Sequence, residues 1–195
     1  MKVIGILGSP RRDGNTEILL DRALAGAASV GAETKKIVLS ESAISGCIEC
    51  NDCFETGVCS IVDDMDHIYE ELERADRIII ASPMFFMGLS SQVKAVIDRC
   101  QCYWALQYVL KKDFPRPEGS LPRYGMFIGT GGTKGLKLFD GAILTLKYFF
   151  DAIAATPRDE LYVLVRGVDD KGEVKSRDGA LRSAFDSSKK LAELN

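Results

Sequence analysis

Four short runs of this chain are apolar at almost every position, and longer stretches between them carry apolar residues every three to four positions. Val3, Ile4, Ile6 and Leu7 belong to one run, and Ile78, Ile79, Ile80 and Ala81 to another. A strand wetted on one face alternates in polarity. Unbroken apolarity signals burial on both faces, which is the habit of parallel sheets covered by helices. Such runs occupy residues 3–7, 77–81, 124–128 and 161–165, and residues 34–39 make a fifth strand candidate. Helices are expected over 16–30, 64–74, 90–104, 139–154 and 179–194. Leu20, Ala23, Leu24 and Ala27 share a face of the first, and Met65, Ile68 and Leu72 a face of the second. Five strands alternating with five helices require right-handed crossovers, so the expected class is α/β: a five-stranded parallel sheet with helices on both faces. The 195 residues suit one domain, 1–195, and no repeat or linker divides them.

The net charge of −3 provides no basic surface for nucleic acid or an anionic membrane. No apolar run approaches the roughly 20 residues that span a bilayer, and the first apolar run is too short for an export signal. Six cysteines in such a chain point to a reducing, cytoplasmic setting, where metal binding or catalysis outranks disulfides.

Ligands of an open parallel sheet bind beyond the carboxyl ends of its strands. The loop after the first strand, Gly8-Ser9-Pro10-Arg11-Arg12-Asp13-Gly14-Asn15-Thr16, suits a phosphate monoester. Ser9, Asn15 and Thr16 offer donors, Arg11 offers charge, and the following helix offers free N–H groups. A polar turn capped by Asn15 or Thr16 is the plainer reading. After the third strand comes Pro83-Met84-Phe85-Phe86-Met87-Gly88. Loops are usually polar, so these apolar residues call for a flat heteroaromatic ring, the core or a subunit interface as partner. Gly129-Thr130-Gly131-Gly132 after the fourth strand is glycine-dense and consistent with close backbone approach to a ligand or with a surface turn.

Cys47, Cys50, Cys53 and Cys59 form a C-x2-C-x2-C-x5-C run within the loop 47–59. Zinc sites usually take two pairs separated by a dozen or more residues. Closely repeated two-residue gaps suit an iron–sulfur cubane. Zinc and metal-free thiols are the alternatives. Cys100 continues a helical apolar stripe and reads as core, while Cys102 has no evident role. His67 is the only histidine and reads as solvent-facing, so no nucleophile–base pair is expected and no catalytic side chain is assigned.

GSPRRDGNT, SPMFFMGLSSQVKAVIDR and GTGG together resemble the NAD(P)H-dependent FMN reductases of flavodoxin-like fold. The cysteine run followed by IVDDM is similar to their iron–sulfur flavoprotein branch. The resemblance covers nearly the whole chain. It implies a three-layer flavodoxin-like sandwich with strand order 2-1-3-4-5 and FMN as cofactor. Ser9, Arg11, Asn15 and Thr16 then match the phosphate loop. Pro83, Met84, Phe85, Phe86 and Gly88 match the segment along the isoalloxazine, and Thr130, Gly131 and Gly132 the third flavin loop. Cys47, Cys50, Cys53 and Cys59 match the ligands of a [4Fe-4S] cluster. The implied activity is electron transfer from a ferredoxin-like or NAD(P)H donor to a small acceptor. The alternative is a cluster-free NAD(P)H-dependent FMN or quinone reductase. A flavin-free module that senses redox state through its thiols ranks third. Phe85-Phe86-Met87 is bulkier than is common in the family, and residues 103–122 form a longer stretch. Phe85, Phe86, Tyr103, Trp104 and Tyr108 offer more aromatic surface than one flavin covers, which suits a homodimer or homotetramer.

Overall fold

A computed structural model describes all residues, 1–195. The parallel sheet contains β1 (Lys2–Leu7), β2 (Glu33–Val38), β3 (Arg77–Pro83), β4 (Tyr124–Gly131), β5 (Thr156–Pro157) and β6 (Val163–Arg166). Its order is β2-β1-β3-β4, with β5 and β6 both pairing to β4 as two halves of one edge. The expected order 2-1-3-4-5 therefore holds, and the fifth position is split. Pro157 has no N–H to continue the ladder. The chain leaves the sheet through a 3-10 turn, Asp159–Leu161, before β6 resumes against Ile128–Gly131.

The helices are α1 (Asn15–Ala28), α2 (Cys53–Thr56), α3 (Met65–Arg74), α4 (Ser91–Arg99), α5 (Gln101–Tyr108), α6 (Asp140–Ala152) and α7 (Asp178–Glu193). Strand side chains alternate between two cores. Val3, Leu7, Ile79, Ala81, Met126 and Ile128 meet α1 and α7 through Leu19, Leu20, Ala184 and Leu191. Ile4, Ile6, Ile78, Ile80 and Phe127 meet α3 to α6 through Leu72, Val96, Tyr103 and Leu146. Each fully buried large side chain contributes about 1.5–3 kcal/mol. The helix α1 packs so closely on α7 that a Cβ on Gly26 would lie 2.1 Å from the backbone oxygen of Phe185.

The single helix expected over 90–104 is two helices. In a continuous helix the Tyr103 N–H would bond the Arg99 carbonyl. That carbonyl instead accepts from the Tyr69 hydroxyl at 2.8 Å and the Cys102 thiol at 3.5 Å, and Tyr103 N–H bonds Cys100 O at 3.0 Å. Side-chain donors thus outcompete the ladder at Arg99. Tyr103 also differs from expectation. It is 3% exposed, packed between Tyr69 and Phe114, so it belongs to the core and not to an aromatic outer surface. No helix is long and apolar enough to cross a membrane.

Candidate functional site

All six strands run the same way, so the loops after β1, β2, β3 and β4 leave the same edge of the sheet. The ends of β1, β3 and β4 are laced together there. Gly8 N–H donates to Ala81 O at 2.8 Å, and Met84 N–H to Thr130 O at 2.7 Å. A crevice of about 80 Å³ lies between them, lined by Ser9, Arg11, Asn15, Thr16, Pro83, Met84, Phe85, Thr130, Gly131 and Gly132 among others.

The phosphate-loop candidates converge. Gly14 is the residue before α1 and no side chain caps the helix, so its first-turn N–H groups remain available to an anion. Ser9 Oγ hooks the Arg11 backbone, accepting from its N–H at 3.2 Å. Thr16 and Thr130, both buried, share a 2.7 Å hydrogen bond across the crevice. Asn15 lines the crevice with its amide already engaged. Its Nδ2 donates to Asp170 O at 2.9 Å and its Oδ1 accepts from Val174 N–H at 3.0 Å, so it clamps the loop after β6. Arg11 likewise donates to Asp169 O at 3.1 Å. The glycine at 8 serves packing: a Cβ there would lie 2.1 Å from Val93 Cγ2 on α4.

The loop 9–14 is held from below by Glu17, three residues into α1, in a variant of the capping box. Its buried carboxylate accepts from Asp13 N–H at 2.6 Å and Lys36 Nζ at 2.8 Å. Asp13 sits at φ 55, on the left-handed side, and this bond stabilises it there. Burial works to raise the Glu17 pKa, but Lys36, the Asp13 amide and Arg12 outweigh it and hold the carboxyl below its ordinary range. A depressed carboxylate contributes stability above the unfolded value, about 4.3, and loses it as pH falls through the folded value. Glu17→Gln should therefore cost about 1–2 kcal/mol near neutrality. The difference from wild type should shrink below about pH 4 and vanish once Glu17 is protonated in both states. Urea unfolding of both proteins across that range checks this, and a pH-independent difference would contradict it.

After β3 the chain makes a tight hairpin, Phe85 and Gly88 exchanging two backbone bonds of 3.0 Å. Phe86 (φ 49) and Met87 (φ 61) both occupy the left-handed region, a conformation that costs bulky residues energy. Pro83, Met84 and Phe85 line the crevice. Phe86 and Gly88 do not, and Phe86 is wholly exposed at the turn's tip. Three lining residues escaped the sequence reading: Val168, Asp169 and Lys171, from the loop after β6. Only their contact with a loop some 155 residues earlier marks them, and no local pattern records it.

The cysteine loop lies over α4, α5 and α6. Cys47, Cys50, Cys53 and Cys59 line one open cavity of about 820 Å³, with Phe54, Ile97, Trp104 and Phe149 on its apolar side. Cys100 and Cys102, both buried, reach its wall. No three of the sulfurs stand close enough together to hold a single ion. A tetrahedral zinc needs every sulfur about 2.3 Å from one centre, whereas a cubane takes each sulfur at a separate corner. Asn51 (φ 66) followed by Asp52 (φ −56) reverses handedness in the loop, the backbone pattern that turns successive N–H groups towards an anion. Burial, followed by neighbouring cysteines, pushes the Cys53 thiol pKa up in the absence of a bound cation.

Asp63, just ahead of α3, anchors more than the helix start. It accepts from Met65 N–H at 3.0 Å, from Ser45 N–H at 2.9 Å and from Arg99 Nη1 at 2.8 Å. Those three donors overcome its desolvation and hold its carboxyl below the usual range. His67 is exposed, with Nε2 2.9 Å from Lys35 Nζ, away from both sites.

A family model described as NADPH-dependent FMN reductase matches residues 1–157. The chain belongs to the NADPH-dependent FMN reductase family. Within that family it falls in the iron–sulfur flavoprotein branch. It is 39% identical over 145 residues to an iron–sulfur flavoprotein of Archaeoglobus fulgidus, covering 73% of this chain and 69% of the relative. It is 48% identical over 99 residues to one of Methanocaldococcus jannaschii, covering 51% of each. The match thus spans about half the length of the first curated relatives. Among solved structures, an NAD(P)H:quinone oxidoreductase from Methanothermobacter marburgensis superposes with a TM-score of 0.72 over 98% of both chains at 14% identity. A flavone reductase gives 0.71 over 99% of this chain and 62% of its own at 19% identity. At such identities these two show the flavodoxin-like fold.

Proposed function

We propose that this family member is an FMN-dependent oxidoreductase that passes electrons between a one- or two-electron donor and a small acceptor, with a [4Fe-4S] cluster held by Cys47, Cys50, Cys53 and Cys59. The observation that carries the reading is four thiols of one loop around one cavity, with that loop leaving the sheet edge where the ends of β1, β3 and β4 enclose the phosphate-loop crevice. FMN would supply hydride or single-electron chemistry, and the cluster single electrons. The protein's own part is placement. Thr16, Ser9, Arg11 and the first turn of α1 bind the phosphate. Pro83, Met84 and Phe85 with Thr130, Gly131 and Gly132 flank the ring. Phe86 and Gly88 set the hairpin beyond it. No side chain is required as acid or base. The donor is ferredoxin-like or NAD(P)H. The exposed Phe86, Leu136, Leu144 and Tyr148 favour a homodimer or homotetramer.

Anaerobically purified protein should be brown and carry four iron and four sulfide per FMN. Yellow protein with FMN and no iron after anaerobic reconstitution would leave the second reading, a cluster-free NAD(P)H-dependent FMN or quinone reductase. Anaerobic bleaching by NAD(P)H as against reduced ferredoxin then identifies the donor.

A further inference from the structure

Arg99 closes α4, and its side chain is fully buried beneath the cysteine loop. All three guanidinium nitrogens are engaged. Nε donates to Cys59 Sγ at 3.2 Å, Nη1 to Ser45 O at 3.1 Å and to Asp63 Oδ2 at 2.8 Å, and Nη2 to Ile61 O at 2.8 Å. Ser45 precedes the first cysteine and Ile61 follows the last, so one planar cation ties both ends of the loop to the helix. Arginine suits this because its donors form a rigid fork, which a lysine cannot reproduce. A buried cation without partners would be strongly unfavourable. Here Asp63 balances its charge, and the two carbonyls and the sulfur take its other bonds. Of the other three loop cysteines, only Cys50 has a side-chain partner, the Ser60 hydroxyl at 3.4 Å.

We propose that Arg99 is the positioning residue of the cysteine site: it fixes both ends of the loop and, through Cys59 Sγ, favours the more negative charge state of whatever the thiolates hold. The proposal rests on the cluster reading above and adds to it a named residue and a direction. One electron added from a one-electron donor brings one further negative charge to the site, with no bond made or broken. Part of that charge falls on the ligand sulfurs, where an N–H donor and a cation stabilise it. Hydrogen bonds to cluster sulfurs raise reduction potentials for this reason.

The test is an anaerobic dye-mediated redox titration of the reconstituted protein, followed by electron paramagnetic resonance, with iron measured in every sample. Arg99→Gln should retain iron but favour the reduced state about tenfold less, a fall of about 59 mV for one electron. Arg99→Lys keeps the charge in a less demanding form and should fall part-way, which preserves the test if the glutamine variant does not fold. Asp63→Asn removes a loop anchor together with the negative charge that balances Arg99, so its potential should not fall. Hydrogen exchange of residues 43–63 should quicken in all three variants. A wild-type protein that takes up no iron overturns the cluster reading. An iron-loaded Arg99→Gln or Arg99→Lys whose potential matches wild type overturns the role of Arg99 alone. Equal shifts in Arg99→Gln and Asp63→Asn would also overturn it, reducing Arg99 to a structural staple.

Discussion

Replacing Arg77 by methionine should cost the fold about 3 kcal/mol, enough to lower the melting temperature by roughly 10 °C. Arg77 opens β3 and is completely buried. Its Nε donates to Leu191 O at 2.8 Å, Nη1 to Pro122 O at 2.6 Å, and Nη2 to Leu194 O. Leu191 lies in the last turn of α7 and Leu194 just past it, where carbonyls lack intrahelical partners and a cation is favoured by the helix dipole. The guanidinium also lies 4.8 Å over the ring of Tyr124, whose hydroxyl donates to Asn195 O at 3.0 Å. Burial pushes the arginine pKa below its ordinary value, yet no deprotonation is needed because carbonyl oxygens surround it. Methionine fills the volume but leaves these carbonyls unpaired, and the end of α7 should fray. Denaturant unfolding measures the loss. A loss under about 1 kcal/mol would mean that water replaces the guanidinium at little cost. A lysine there should recover only part of the stability, since one ammonium cannot reach all three segments.

Thr16→Val should weaken FMN binding about tenfold to a hundredfold, the equivalent of one hydrogen bond to a charged group, about 1.5–3 kcal/mol. The substitution keeps the branched shape in the first turn of α1 and deletes the hydroxyl that meets Thr130 at 2.7 Å. Thr130→Val removes the other half of that pair and leaves Thr16 free to donate, so its affinity loss should be smaller. Fluorescence quenching of FMN titrated with apoprotein gives both dissociation constants. Equal and negligible changes would show that the phosphate does not use this pair. The two substitutions should combine non-additively, because their hydroxyls touch.

The role of Asn15 shows how far local spacing reaches. Its place at the start of a helix after a buried strand marked it correctly as a loop-to-helix residue, and the same spacing suggested phosphate binding. The tertiary structure keeps it on the crevice wall and adds bonds from its amide to Asp170 and Val174. Phe86 behaves similarly. An apolar run after β3 called for a partner, and the hairpin with two left-handed residues then turned this ring outward. Arg99 lay inside a matched motif without an assigned role, because nothing in the helix around it shows that Cys59, Ser45 and Ile61 will surround it.

Periodicity and turn chemistry are local properties, so the chain by itself determined the alternation of strands and helices, their parallel arrangement, and the loops that gather at one sheet edge. The cysteine spacing likewise fixed four thiols in a single short loop. Which helix would break, at Arg99, and which cation would stand behind a cysteine sulfur depended on groups 30 to 40 residues distant. The burial of Arg77 against the end of α7, more than 110 residues away, arose in the same way. Those outcomes are competitions for hydrogen-bond partners in a closed interior, and only the assembled fold sets which partners are within reach.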